Sequence, residues 1–144
     1  WCEWSNTGTA VFPVIATTAN AGIIYGIDAT NGRTYTFGET TYQDSGANFT
    51  VTLQTDKYDF GTPFNKFQEG LWLMGDNVAQ NVSVSESDDD YVTFNTARTM
   101  DMTNTRKYLS EGGSFVQRAY RFAYTANAAF RVQKMVLKLA VGDS

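Results

Sequence analysis

Six acidic side chains are the residues of this sequence best suited to chemistry: Glu86, Asp88, Asp89, Asp90, Asp101 and Glu111. A pair of carboxylates set across a cleft is all that a glycoside hydrolase requires. The run over residues 86–90 is nevertheless typical of a solvated, charged loop between two strands. Calcium binding is the alternative for this run, because hard oxygen ligands cluster in this way. The spaced Asp, Asn and Gly pattern of a dedicated calcium loop is missing.

The chain has no histidine and a single cysteine, Cys2, among its 144 residues. Histidine is the commonest general base, the usual activator of serine and cysteine nucleophiles, and the commonest transition-metal ligand. No phosphate-binding loop, nucleophile elbow or dinucleotide fingerprint occurs either. We therefore predict that the protein is not an enzyme, needs no cofactor, and has no catalytic, cofactor-binding or metal-binding residues. Cys2 is interpreted as a buried or incidental thiol.

Aromatic side chains suit a second kind of function, the binding of sugars or of other subunits. The available rings include Trp1, Trp4 and Trp72 and eight tyrosines. Trp72 lies in the run 71–74, which is apolar on both faces, and this favours a place in the core or in a subunit contact. Trp1 and Trp4 precede any clear strand and would suit packing against a neighbouring domain. A carbohydrate-stacking platform is the alternative for these rings.

The charge balance argues against nucleic-acid and membrane partners. The formal net charge is -4, whereas nucleic-acid surfaces need a basic field and anionic membranes attract basic segments. No apolar run approaches the roughly 20 residues of a membrane-spanning helix. Positive residues do concentrate near the C-terminus: Arg118, Arg121, Arg131, Lys134 and Lys138. We expect them to pair with acids across strands or to lie on a solvated outer face; a polyanion-binding patch is the alternative.

Alternation of apolar and polar residues with a period of two predicts an antiparallel all-β fold. The alternating runs cover residues 49–55, 81–85, 92–95 and 116–124, and each is typical of a half-buried strand. Arg118 interrupts the apolar face of the last one. In the run 130–141 the parity of the apolar residues changes, which predicts a β-bulge near Gln133 and Lys134. A helix competes for this run, because Lys, Met, Leu and Ala favour helices.

Turn residues separate these runs. Asn31-Gly32 lies between residues 23–27 and 33–37 and predicts a tight hairpin. Further reversals are expected at Asp44-Ser45-Gly46, Gly75-Asp76-Asn77 and Glu111-Gly112-Gly113. Pro13 marks the strand over residues 11–15 as an edge strand or a bulge. Roughly nine short strands at close spacing favour a β-sandwich or jelly roll.

A domain boundary is expected near residues 40–48. Residues 1–45 are interpreted as an N-terminal hairpin segment, which would be the end of an upstream domain. Residues 46–144 are interpreted as an antiparallel β-sandwich domain. Because the sequence begins with Trp1 and not with Met, we expect it to be a portion of a longer protein.

An ordered series of short motifs extends over most of the chain. The motifs are WCEW at 1–4, GIIYGID at 22–28, TYQDSG at 41–46, FGTPFNK at 60–66, VSESD at 84–88, RAYRF at 118–122 and FRVQKMVL at 130–137. Their order resembles the C-terminal region of tail hub, nozzle and packaged-DNA-stabilising virion proteins of tailed bacteriophages, mainly short-tailed ones. In that family a propeller-like portion precedes a β-sandwich that ends in an Arg-rich strand pair. Two positions depart from the family pattern: only Lys66 remains of a Lys-rich run, and Asp88-Asp89-Asp90 replaces Asp-Gly-Gly.

The resemblance implies a non-catalytic structural protein of the virion tail, assembled in the cytoplasm of the host bacterium. Its expected partners are other copies of itself and neighbouring tail or portal proteins, without sequence-specific nucleic acid and without membrane. An acidic inner surface would let DNA pass without sticking. The alternatives are a carbohydrate- or receptor-binding β-sandwich module of a tail fibre, with a host glycan as ligand, and a capsid decoration domain.

Overall fold

The computed structural model describes residues 14–38, 40–44 and 46–142. Every regular element in these ranges is a β-strand, and the strands of each sheet pair in antiparallel fashion. The predicted all-β antiparallel fold class is therefore confirmed. No helix long and apolar enough to cross a membrane occurs in the same ranges. The predictions for Trp1, Cys2, Trp4 and Pro13 fall outside the described residues.

The chain divides into two compact units. The first contains the residues up to Phe49 together with Ala126–Ala129, and the second contains Thr50–Thr125 and the residues from Phe130 onwards. The segment Ala126–Ala129 is tied to the first unit by Asn127, whose side-chain oxygen accepts a hydrogen bond from the Tyr42 backbone N–H at 2.8 Å. The chain therefore leaves the second unit once and then returns to it.

Two small antiparallel sheets make up the first unit. Strands β1 (Val14–Asn20), β2 (Ile23–Asp28) and β3 (Thr34–Phe37) form one sheet in that order, and β4 (Gln43–Asp44) pairs with β5 (Ala47–Asn48). The hairpin predicted between residues 23–27 and 33–37 is confirmed, as is the reversal predicted after Asp44. Among the described residues of this unit no sheet is closed, so the propeller-like character of residues 1–45 stays a prediction.

The turn between β2 and β3 is wider than a two-residue Asn-Gly turn. The Asp28 N–H donates to the Arg33 carbonyl at 2.9 Å, so residues 29–32 form the loop, and the Gly32 N–H donates back to the Asp28 carbonyl at 3.0 Å. The Asp28 carboxylate holds this loop by accepting the Thr30 N–H at 2.7 Å. Gly32 has a φ of 69°, a left-handed conformation that glycine adopts without strain. The predicted hairpin is thus closed by the loop 29–32, which this side-chain bond helps to stabilise.

Seven strands form the second unit: β6 (Thr50–Gln54), β7 (Lys66–Gly75), β8 (Asn81–Ser87), β9 (Arg98–Asp101), β10 (Lys107–Phe115), β11 (Ala119–Thr125) and β12 (Val132–Val141). One sheet has the strand order β6-β11-β8-β9 and the other has the order β10-β7-β12. Only the connection from β8 to β9 stays within one sheet. Every other connection of this unit takes the chain from one sheet to the other.

The two sheets of the second unit contact each other through buried side chains. The Tyr120 hydroxyl on β11 donates a hydrogen bond to Oε1 of Gln68 on β7 at 2.7 Å. The larger buried apolar side chains of this unit are Leu71, Leu73, Val82, Val84, Met100, Met102, Phe115, Phe122 and Tyr124. Full burial of such a side chain contributes roughly 1.5–3 kcal/mol. This core is therefore the main source of stability.

The alternating patterns over β8 and β11 are confirmed. Val82 and Val84 are buried on β8, and Tyr120, Phe122 and Tyr124 are buried on β11. Arg118 precedes β11 with the same parity as Tyr120, and it is itself buried. The residue that interrupts the apolar pattern therefore lies in the core and does not break the face.

The β-bulge predicted in the last strand is confirmed. Val132 pairs with Gly75 and Lys134 pairs with Met74, so Gln133 is the additional residue. The extra residue changes the parity of the apolar side chains, as the sequence pattern required. The competing helical interpretation is wrong, since the whole range Val132–Val141 is β-strand.

Residues 92–95, which the sequence pattern assigned to a strand, lie in the loop between β8 and β9. The Asp89 carboxylate accepts the Thr93 N–H at 2.9 Å, and the Val92 N–H donates to the Asp89 carbonyl at 3.4 Å. Asp90 and Tyr91 have positive φ values of 64° and 69°. These local bonds satisfy backbone groups that a strand would pair across a ladder, so the strand prediction is wrong.

Glu111-Gly112-Gly113 forms a bulge inside β10 and not the predicted reversal. Ser110 pairs with Gly70 and Gly113 pairs with Gln68, so β10 contains one residue more than β7 over this stretch. Glu111 and Gly113 have positive φ values of 45° and 71°. The strand bends at this point but continues to Phe115.

Lys66 anchors the segment that leads into β7. The side chain is fully buried, and its Nζ donates to the carbonyl oxygens of Thr62 at 2.6 Å, Phe64 at 2.8 Å and Val116 at 2.8 Å. A buried ammonium is tolerated only when hydrogen bonds replace its water. Lys66 therefore joins the loop before β7 to the connection between β10 and β11.

Candidate interaction surfaces

Glu86 belongs to a buried polar cluster and is not solvated as the loop interpretation of residues 86–90 implied. Its carboxylate accepts from Arg98 Nη2 at 2.7 Å and from Asn95 Nδ2 at 2.7 Å. The Glu86 N–H also donates to Asn95 Oδ1 at 2.8 Å. Both carboxylate oxygens of Glu86 therefore accept hydrogen bonds, and these bonds fix the end of the loop and the start of β9.

Asp88 forms a two-point ion pair with the buried Arg118. Arg118 Nε lies 2.6 Å from Asp88 Oδ1, and Nη2 lies 2.7 Å from Oδ2. Arg118 Nη1 also donates to Gln68 Oε1 at 3.1 Å and to the Gly112 carbonyl at 2.5 Å. The guanidinium therefore connects both sheets, and its role is structural.

Asp89 is the centre of the turn that follows β8. It accepts from the Thr93 hydroxyl at 2.5 Å, from the Thr93 N–H at 2.9 Å and from the Ser87 hydroxyl at 2.8 Å. These bonds favour the carboxylate form and lower the pKa of Asp89 to about 2, the Thr93 side-chain bond contributing most. Asp90 pairs with Lys57 at 2.5 Å on the exposed side of the same turn.

The remaining two acids, Asp101 and Glu111, have hydrogen-bond partners outside this turn. Asp101 accepts from the Thr103 hydroxyl at 2.7 Å and the Thr103 N–H at 2.8 Å, and these bonds lower its pKa. Glu111 is exposed in the β10 bulge, where its carbonyl accepts from Arg98 Nη1 at 3.1 Å. Within the described ranges, no group of three or more acidic, cysteine or histidine side chains is arranged to hold a metal ion.

Three of the five basic residues near the C-terminus form ion pairs with acids, and the polyanion-binding patch stays a prediction. Arg118 pairs with Asp88, Arg131 with Asp76 and Lys138 with Glu69. Arg121 lies over the Phe94 ring, 3.4 Å from its centroid, and binds the Gln54 amide oxygen. Lys134 is exposed. The predicted pairing with acids is confirmed for three of the five.

The outward face of the sheet β10-β7-β12 carries a pair of aromatic rings. Trp72 on β7 is directly opposite Tyr108 on β10, and their ring centroids lie 4.7 Å apart. A side-chain carbon at Gly70 would lie 2.8 Å from Trp72 Cη2, so the ring covers the backbone at this glycine. Trp72 is half-buried, while Leu71 and Leu73 on either side point into the core. Of the two places predicted for Trp72, the core is therefore wrong, and a subunit contact stays a prediction.

Further apolar side chains extend this outward face. Lys138 pairs with Gly70 and Leu139 pairs with Gln68, so Glu69 is an additional residue in β7 relative to β12. Met74 has the same parity as Trp72 and is 52% exposed, and Phe67, on the other side of this irregularity, is 49% exposed. Glu69 and Lys138 form an ion pair beside them. We call Phe67, Trp72, Met74 and Tyr108 the aromatic face. Its arrangement of rings, a thioether and a polar border is typical of a protein-protein interface.

Strand β6 provides a second exposed apolar surface. Leu53 pairs with Phe122 and Val51 pairs with Tyr124, so these four side chains share the inner face of their sheet. Phe122 and Tyr124 are buried, whereas Val51 and Leu53 are 51% and 56% exposed. The sequence pattern predicted the correct side for Val51 and Leu53 but wrongly predicted half-burial for the strand, because alternation does not reveal whether a face is covered.

No protein-family model matches this sequence, and no curated protein matches it either.

Proposed function

We propose that this chain is a non-catalytic structural protein of a bacteriophage virion that mediates subunit contacts in the tail or portal-proximal assembly. The observation that carries the proposal is the aromatic face. Interface centres are enriched in Trp, Tyr, Phe and Met, and a few such side chains carry most of the binding energy. The ordered motifs that resemble tail hub, nozzle and packaged-DNA-stabilising proteins support the virion as the place of assembly.

The proposal includes a jelly-roll-like β-sandwich for the second unit and a propeller-like segment before it. The hydrogen bond between Tyr120 and Gln68 supports the sandwich, since it joins the two sheets face to face. The repeated crossing of the chain between the sheets supports it as well. The antiparallel sheet β1-β2-β3 supports the propeller-like segment, because propeller blades are antiparallel meanders.

The location of the protein can be tested in purified particles of the phage that encodes the chain. Mass spectrometry of the particles should detect the chain at a fixed ratio to the portal protein, and a particle reconstruction should place it in the tail or next to the portal. A position on the capsid surface would favour the decoration alternative. Absence from purified particles would contradict the proposal.

A substitution in the aromatic face tests the observation behind the proposal. Trp72→Lys should lower incorporation of the chain into particles several-fold, because it places a charge at the centre of the contact. Val92→Lys is the matched control: Val92 is 80% exposed on the loop after β8, and its substitution should leave incorporation unchanged. Normal incorporation of the Trp72→Lys protein would contradict the assignment of this face.

Carbohydrate binding is the second candidate, and the same pair of rings favours it. Trp72 is half-buried and Tyr108 is 41% exposed, and the polar Glu69 and Lys138 lie beside them. Aromatic rings with polar neighbours can stack on a sugar and bond its hydroxyl groups. A glycan array probed with the wild-type chain and with Trp72→Ala separates the two functions. Reproducible binding that is lost in Trp72→Ala supports the sugar-binding role, and no binding to any glycan contradicts it.

A further inference from the structure

We propose that two copies of this chain pair edge to edge through β6, so that their four-stranded sheets join into one continuous sheet across a two-fold axis. The inference rests on the proposed role in subunit contacts and names one of the partners as a second copy of the same chain. It comes from the free edge of β6 and not from the aromatic face.

In β6, the backbone N–H and C=O groups of alternate residues point away from β11. The Thr55 N–H donates to the Tyr120 carbonyl at 2.9 Å, and the Tyr120 N–H donates to the Thr55 hydroxyl oxygen at 3.0 Å, so these directly opposed residues occupy a hydrogen-bonded position of the ladder. In an antiparallel ladder such pairs alternate with pairs that are not hydrogen-bonded. The backbone groups of Leu53 and Val51 therefore face β11, whereas those of Thr50, Thr52 and Gln54 point to the other edge. In the described part of the chain no strand pairs with that edge.

The free edge of β6 is complementary to itself. When a second β6 lies antiparallel with Thr52 opposite Thr52, Thr50 lies opposite Gln54, and all of these residues direct their N–H and C=O groups towards the partner strand. The same register places Val51 of each copy opposite Leu53 of the other, on the inner face of the sheet. A shift by one residue would lose both matches at once, because it reverses the faces and the bonding phase.

Features that normally protect an edge strand are absent from β6. Protected edges carry Lys, Pro, a bulge or a covering segment, and Thr50–Gln54 contains neither a charge nor a proline. By contrast, the edge strand β12 contains Lys134 and Lys138 and a bulge. At the opposite end of the four-stranded sheet, Arg98 on β9 donates to the Ser110 carbonyl of β10 at 2.6 Å. Only β6 combines exposed apolar side chains with an uncharged edge in this unit.

Charge also permits the pairing of two copies. Because β6 is uncharged, the proposed register brings no like charges into opposition. The nearest cations already have partners: Lys57 pairs with Asp90, and Arg121 binds Gln54 and lies over Phe94. A five-residue strand pair buries less than the roughly 800 Å² per partner of a standard stable interface. We therefore expect weak, concentration-dependent pairing that strengthens where copies are held close together in an assembly.

Sedimentation velocity over about a hundredfold range of protein concentration measures the pairing. The wild-type chain should move from monomer to dimer as the concentration rises. Thr52→Pro should remain monomeric at every concentration, because it removes an N–H that points to the partner and not one that bonds β11; edge strands accept proline at such positions. Leu53→Lys should also remain monomeric, because its charge would face Val51 of the partner. Val92→Lys is the matched control and should dimerise like the wild type.

Circular dichroism establishes that each variant is folded, and Leu53→Lys provides the decisive comparison if Thr52→Pro does not fold. A wild-type chain that stays monomeric throughout would overturn the proposal. Dimers that persist in folded Thr52→Pro and Leu53→Lys would overturn it too, because another surface would then be responsible. Neither result bears on the virion proposal, which is tested separately by the presence of the chain in purified particles.

Discussion

Buried cations are the most distinctive residues of the second unit. Lys66, Lys107 and Arg118 are each buried, with exposures of 0%, 3% and 3%. Each has oxygen acceptors: Lys107 Nζ, for example, lies 2.5 Å from Asn77 Oδ1 and 3.2 Å from the Gly75 carbonyl. Such charges are costly to bury unless they are bonded, and removing one leaves its partners without hydrogen bonds. They act as fixed junctions between segments that are distant in sequence.

The first prediction concerns Lys66. Lys66→Met should lower the free energy of unfolding by about 3 kcal/mol or more, because the carbonyls of Thr62, Phe64 and Val116 would lose their donor. Lys57→Met is the matched control, since Lys57 is exposed and pairs only with the exposed Asp90. Urea unfolding should show a much smaller change for the control. Equal stability of Lys66→Met and the wild type would contradict the role assigned to the three bonds.

The acidic run shows how far residue types alone can predict a site. The interpretation of residues 86–90 as a charged loop is correct for residues 88–90 and wrong for residues 86 and 87, which lie in β8. Composition also gives no information about partners. Asp88 bonds Arg118, which is 30 positions away, and Glu86 bonds Arg98 after an irregular loop. Such pairs depend on the topology of the sheets and not on local sequence.

At the scale of elements, the bulge in β10 requires glycine at two positions, and each position requires it for a different reason. Gly113 has a φ of 71°, and a side-chain carbon there would meet no atom within 4 Å. A side-chain carbon at Gly112 would instead overlap the buried amide of Gln68. The first glycine is needed for backbone conformation and the second for space.

The second prediction separates these two requirements. Gly113→Ala should cost about 1 kcal/mol of stability, the typical penalty for a left-handed alanine. Gly112→Ala should cost about 2–3 kcal/mol, because overpacking displaces Gln68 from Tyr120 and Arg118. Thermal and urea unfolding of both proteins check the order. A Gly112→Ala protein that is more stable than Gly113→Ala would show that the space beside Gln68 is not restrictive.

Elements with clear period-two patterns were predictable, and those controlled by side-chain-to-backbone bonds were not. The parity change in residues 130–141 indicated a bulge because only an inserted residue can move apolar side chains to the other face. Residues 92–95 alternate equally well, yet the Asp89 carboxylate holds Thr93 in a turn. The glycines at 112 and 113 suit a turn or a bulge, and sequence alone does not distinguish them.

At the scale of the whole second unit, the hydrogen bond between Tyr120 and Gln68 is one of several that link the two sheets. Burial raises the pKa of Tyr120, because the phenolate would lose its hydration there. The unfolded chain releases this proton near the ordinary tyrosine pKa of 10.0, whereas the folded protein retains it. The stabilisation from Tyr120 is therefore complete below about pH 10 and is lost as the pH rises further.

The third prediction follows from this linkage. Tyr120→Phe should lower the free energy of unfolding by about 1 kcal/mol at neutral pH, because Gln68 loses a donor. The same variant should lose less stability than the wild type between about pH 8 and pH 11, since it lacks the titrating phenol. Urea unfolding at both pH values measures the two effects. An identical alkaline loss in both proteins would mean that Tyr120 does not remain protonated in the folded state.

The order of strand pairing has a consequence for the newly made chain on the ribosome. Strand β6 pairs only with β11, and β7 pairs only with β10 and β12. The early strands of this unit therefore have no partner until its last third has been synthesised. Contacts this distant in sequence make folding slow compared with that of helical proteins. We therefore expect the apolar segments of β6 and β7 to stay exposed during translation until these partners have been made, and to be most prone to aggregation in that interval.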